Sequence, residues 1–129
     1  MEYLLRSRPG CFEPNADVFV DEERGQVVVS VELAGADPES IAVALDGSHL
    51  IVAGRRTERA RQRRGSFAQK EIAYGEFAKR ISLPAPVEHL DAAASFSDGI
   101  LIVALPLAPD AYLQTSRTQL RIMVTRIHS

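Results

Sequence analysis

Apolar residues recur at every second position along most of this chain. Val27, Val29, Val31 and Leu33 alternate with Val28, Ser30 and Glu32, and Ile41, Val43 and Leu45 with Ala42, Ala44 and Asp46. Phe77, Ile81 and Leu83 alternate with Ala78, Arg80 and Ser82, and Leu120, Ile122 and Val124 with Arg121, Met123 and Thr125. Successive side chains of a strand point to opposite faces, so this spacing predicts half-buried strands. The run from Ile100 to Leu105 is apolar throughout and rich in β-branched residues, which predicts a strand buried on both faces. A short helix fits only at 87–93.

The punctuation agrees. Arg24-Gly25, Asp46-Gly47 and Asp98-Gly99 each separate strand-like runs and predict hairpin turns, because these residues tolerate positive φ. Asp37-Pro38-Glu39-Ser40 predicts a turn or one turn of helix, and Pro84 and Pro86 end a strand. Many short strands with close turns predict an all-β sandwich. A chain of 129 residues is long enough for one such domain without disulfides or metals.

Several chemistries find no footing. His49, His89 and His128 are scattered and show no metal-ligand spacing, and the one cysteine, Cys11, lies in the first segment away from any His or Asn pattern. No phosphate-binding loop and no nucleophile elbow are present, so neither an enzyme nor a cofactor is expected. The start has no long apolar stretch and no run is long enough to span a bilayer; with a lone cysteine, this predicts a cytoplasmic protein off the membrane. Charge is polarised. Residues 13–46 hold nine acidic residues and one basic, whereas 55–80 hold nine basic and three acidic. Such halves can pair within one molecule or between two.

Five segments in order resemble the α-crystallin domain of the small heat shock proteins, in its bacterial form. They are Pro14 to Phe19; Val31-Glu32-Leu33-Ala34-Gly35 with Pro38-Glu39-Ser40-Ile41; Leu50-Ile51-Val52-Ala53-Gly54; Tyr74-Gly75-Glu76-Phe77 leading to Leu83-Pro84; and Ala94 to Leu101 around Asp98-Gly99. The resemblance runs from about residue 14 to 106. Gly35, Gly75 and Gly99 fall at strand ends or tight turns, where positive φ is easy only for glycine. Two departures carry weight. Ala34 stands where the family usually has Pro, and Lys79 where it usually has Arg, which alone can hold a carboxylate by two parallel bonds.

The resemblance implies an immunoglobulin-like antiparallel β-sandwich of seven or eight strands, at 14–107, between a short arm at 1–13 and a C-terminal extension at 108–129. It implies an ATP-independent holdase that binds unfolded or partly unfolded client proteins. Ile122-Met123-Val124 resembles the family's C-terminal I-x-I/V motif, in which Ile122 and Val124 would dock on a neighbour's groove walled by Val43, Leu45, Ala93 and Ser95. A last strand of the chain's own domain is the other reading of that motif. The basic segment at 55–73 resembles the family's dimerisation loop. Its strand near Phe67 to Ile72 would pair with a partner's first strand near Ala16 to Val20, with Arg59, Arg63, Glu71, Tyr74 and Lys79 as further contacts; a solvated loop is the alternative. The chain is therefore expected to form a homodimer and, through the tail, a higher oligomer.

Two other functions compete. The arginines at 55–64 could bind nucleic acid, but the chain is net negative at −2 and only Phe67 offers a base-stacking surface nearby. A co-chaperone module of the CS-domain type shares the sandwich but lacks the Tyr-Gly-x-Phe loop and the I-x-V tail found here.

Overall fold

The computed structural model describes residues 12–59, 63–108, 117–120 and 122–124. Nine strands occur among them: β1 (Ala16–Asp21), β2 (Gln26–Glu32), β3 (Ala42–Asp46), β4 (His49–Arg56), β5 (Gly75–Ser82), β6 (Ala93–Ser97), β7 (Ile100–Pro106), β8 (Arg117–Leu120) and β9 (Ile122–Val124). They form two sheets, in the orders β1-β2-β7-β6-β9 and β5-β4-β3-β8. Every pairing is antiparallel except β6 with β9. The expected sandwich is present.

The alternating residues make the core. Val27, Val29 and Val31 of β2 and Leu101, Val103 and Leu105 of β7 are fully buried. They belong to the same cluster as Val43 and Leu45 of β3, Leu50 and Val52 of β4, and Phe77 and Ile81 of β5. Each such side chain contributes about 1.5–3 kcal/mol through the water-exposed surface it loses. The β6–β7 hairpin is closed by Asp98 and Gly99, with φ of 53° and 78°. A Cβ on Gly99 would come within 3.0 Å of the Ala34 Cα, so that turn also lets the loop after β2 approach closely. Asp37 caps the single 3-10 turn Pro38–Ser40 by accepting from the Glu39 N–H at 3.1 Å.

The structure corrects several expectations. β7 is covered on one face only, as Ile102 is 42% exposed. The strands covered on both faces are β4, whose Leu50, Ile51, Val52 and Ala53 are all buried, and β3, with Val43, Ala44 and Leu45 buried. The β3–β4 turn is Gly47-Ser48, because Asp46 still pairs with His49. Residues 87–93 form no helix; Val87 bridges to Leu107 and the Ala92 N–H donates to the His89 carbonyl. The alternation at Leu120, Ile122 and Val124 is divided between the two sheets, Leu120 in one and Ile122 and Val124 in the other. Residues 67–72 belong to no strand of the single chain; the strand expected there is one made against a partner's β1, which one chain does not contain.

Candidate functional site

The functional groups this sandwich offers are its strand edges. An edge strand presents backbone N–H and C=O groups that another extended segment can pair with. Among the described residues β1 is bonded only to β2. Its side chains are exposed on both faces: Val18 is 41% exposed, Phe19 64% and Val20 40%. A run of adjacent apolar side chains beside an open backbone edge is an uncommon surface for a monomer to leave bare. The acidic residues Asp17, Asp21, Glu22 and Glu23 surround it.

The outer edge of β5 is partly closed. The Phe12 N–H donates to the Glu76 carbonyl at 3.0 Å, and the Ala78 N–H to the Phe12 carbonyl at 3.2 Å. The Phe12 ring lies 5.5 Å from that of Phe77. Lys79, half-buried on β5, pairs across with Val52.

On the other side of the molecule the edges of β3 and β6 carry the chain's own tail. β8 lies antiparallel to β3, with Val43 opposite Leu120 and Leu45 opposite Thr118. β9 lies parallel to β6, with Ala94, Ser95 and Phe96 opposite Ile122, Met123 and Val124. Val43 and Leu45 sit in the core together with Leu120. The β6 wall is shifted by one residue from the expected one. Ala93 is exposed and Ser95 half-buried, whereas Ala94 and Phe96 face the core.

The base of the basic loop is organised by Arg56 at the end of β4. Its Nε donates to the Ala73 carbonyl at 2.9 Å, joined by Nη2, and Nη1 donates to the Ala34 carbonyl at 3.0 Å. Its guanidinium lies 4.6 Å from the Phe12 ring centre and 5.7 Å from that of Tyr74. One side chain thus holds the first segment, the turn after β2 and the end of the loop. Beside it, Lys70 Nζ is 2.8 Å from the buried Glu58 carboxylate and about 5 Å from the rings of Phe67 and Tyr74. An open cleft of about 800 Å³ lies among Phe12, Arg56, Glu58, Lys70, Tyr74 and Glu76.

The remaining candidates are spread around this base. Arg59, Arg63, Phe67, Glu71 and Ile72 are exposed, with Phe67 at 51% and Ile72 at 59%. Of the family-motif positions, Phe77, Ala94 and Leu101 are core, Leu83 packs against the core and Pro84 is exposed. Gly35 and Gly75 have φ of 80° and 101°. The sequence marks Arg56 only as one of the basic cluster at 55–64 and gives no sign of Glu58. Arg56 stands two residues after the Leu50 to Gly54 segment, but nothing in its spacing shows that a carbonyl at 34 and another at 73 converge on it.

The comparisons with known proteins agree with this geometry. Residues 19–124 match the Hsp20/alpha crystallin family. Small heat shock protein C4 of Rickettsia felis is 30% identical over 93 residues, which are 72% of this chain and 56% of that one. The chain thus spans little more than half of that relative. Among solved structures, heat shock protein 16.0 from Schizosaccharomyces pombe has a TM-score of 0.66 at 30% identity, covering 81% of this chain and 94% of the other. The hspA structure from Xanthomonas axonopodis has a TM-score of 0.68 at 27% identity, covering 78% and 98%. With its sandwich, its motifs in order and a match over most of its length, this chain belongs to the Hsp20/alpha crystallin family of small heat shock proteins.

Proposed function

We propose that the protein is an ATP-independent holdase of the cytoplasm, which binds partly unfolded proteins at its strand edges and catalyses no reaction. The observation that carries this reading is the open edge of β1 with Val18, Phe19 and Val20 exposed beside it. Unfolding proteins expose apolar side chains and unpaired strands together, and this edge can satisfy both. Backbone pairing reads no particular sequence, which suits a partner of no fixed identity.

The same edge supports a homodimer. The segment 67–72 carries exposed Phe67 and Ile72 and belongs to no strand of its own chain, so a second copy's segment would add to β1 as a further strand. The basic loop (Arg59, Arg63, Arg64) would then approach the acidic surface of Asp17, Asp21, Glu22 and Glu23. Exposed ion pairs of this kind fix register and speed encounter more than they add affinity. In a larger assembly, a tail from another copy would take the β3 and β6 edges.

A turbidity assay tests the central claim. A heat-labile protein is warmed with and without this chain, in the absence of ATP. Scattering is expected to fall as the chain approaches equal amounts with the client. Unchanged scattering at several-fold excess would overturn the reading.

A further inference from the structure

We infer that the β1 edge selects its clients by charge: it takes extended segments that carry three apolar residues between two Lys or Arg side chains. The client part of this rests on the holdase reading; the recognition pattern does not.

The pattern follows from the register of β1. Val18 and Val20 lie opposite the buried Val29 and Val27, so they share the core-facing side of the sheet. Asp17, Phe19 and Asp21 lie opposite Ser30, Val28 and Gln26 on the outer side. A strand added to β1 sets each of its residues beside the one it pairs with, on the same face. Its residues opposite Val18, Phe19 and Val20 are therefore apolar: two lengthen the core side and one covers the Phe19 ring. Its residues opposite Asp17 and Asp21 meet carboxylates about 13 Å apart along the strand. The pattern is the same from either end, so it serves an incoming segment in either direction.

The two carboxylates are placed to discriminate. Asp17 is exposed, and Asp21 Oδ1 accepts the Arg24 N–H at 3.0 Å, which holds that carboxylate at the end of the strand. Among the described residues no Lys or Arg is ion-paired with either. Glu22 and Glu23 follow at once and add like charge. Backbone pairing alone would accept any extended segment. A cation opposite each carboxylate adds an attraction, and an acid there adds a repulsion. One exposed pair changes affinity by about 1.5–5-fold, so two pairs, with the repulsion removed, separate cationic from acidic segments by about tenfold. The chain itself does not meet the pattern. No stretch of its sequence has Lys or Arg at both ends of three apolar residues, and the one cation within 67–72, Lys70, lies 2.8 Å from the Glu58 carboxylate of its own chain. Both ends of the pattern are thus met only by a foreign strand.

Two peptides test this, alike except that one has Lys and the other Glu on either side of Val-Phe-Val. Each carries the same fluorescent label, and its binding to the full chain is followed by anisotropy at fixed chain concentration. The Lys peptide is expected to bind about tenfold more tightly at low salt. The margin should shrink to about threefold or less near 0.5 M salt, where screening acts within about 4 Å. Replacing Asp17 and Asp21 together with Asn keeps an acceptor for the Arg24 N–H and removes both charges; it should also bring the two peptides within about threefold. Equal binding of the peptides to the wild-type chain, or none, would overturn the charge selection, as would a full preference in the Asn variant. If the preference appears but warmed client still aggregates, the holdase reading fails and the recognition pattern stands. If client is held and the peptides bind alike, the holdase reading stands and the selection fails.

Discussion

Gly54→Ala should weaken the fold through one identifiable collision. A Cβ at residue 54 would lie 2.5 Å from the Phe77 Cζ, with two further ring carbons at 3.1 and 3.2 Å. Phe77 is 1% exposed, pairs directly across from Gly54, and has the Phe12 ring against it. The ring cannot retreat without displacing Phe12 or the core behind it. Overpacking of this kind costs about 1–3 kcal/mol. For a domain of this size each kcal/mol lowers the melting midpoint by about 4 °C, so a fall of about 4–12 °C is expected. Phe77→Leu alone leaves a void and is also destabilising. Because the smaller side chain makes room for the new methyl group, the double variant should be more stable than the two separate costs predict, by about 0.5–3 kcal/mol. Urea unfolding followed by far-UV circular dichroism, at fixed chain concentration, measures all four proteins. Strictly additive costs, or a neutral Gly54→Ala, would refute the argument that this glycine exists to admit the ring.

Three further outcomes follow from the described geometry. Phe19→Asp on the open β1 edge should leave the melting midpoint within about 2 °C, because the side chain is 64% exposed, yet reduce client holding and dimer content in light scattering. Arg56→Ala removes the anchor on the Ala34 and Ala73 carbonyls together with the Phe12 contact, so amide hydrogen exchange at residues 70–76 should rise about tenfold or more. Replacing Ile122 and Val124 together with Gly should shrink the assembly in size-exclusion chromatography without unfolding the sandwich; cooperative unfolding with unchanged size would make the tail structural instead.

Much of this architecture was legible where one face of a strand meets the core and the other meets water. Val27, Val29 and Val31 declare their side because Ser30 and Glu32 declare the other. Continuous apolar runs are harder. Leu50 to Ala53 and Ile100 to Leu105 look alike in composition, but of the two only β4 is covered on both faces. Whether an outer face is covered depends on distant chain, which local periodicity does not encode. The inward parity of β6 is hidden for a similar reason: Ala93 and Ser95 are as small as Ala94, so size gives no hint of which residues face inward. The change of sheet between Leu120 and Ile122 is hidden by an unbroken alternation through Leu120, Ile122 and Val124. A strand near 67–72 needs a partner that a single chain does not contain. Gly54 was recognised as a motif residue, but the ring that demands it comes from another strand.

The change of sheet between Leu120 and Ile122 has a mechanical consequence. One residue separates the last bond of the tail to one layer from its first bond to the other. Peeling from the end therefore frees β6 first and leaves β8 on β3, where Leu120, opposite Val43 and packed in the core, is the next contact to part. The two edges beneath the tail would thus be bared in a fixed order, β6 before β3.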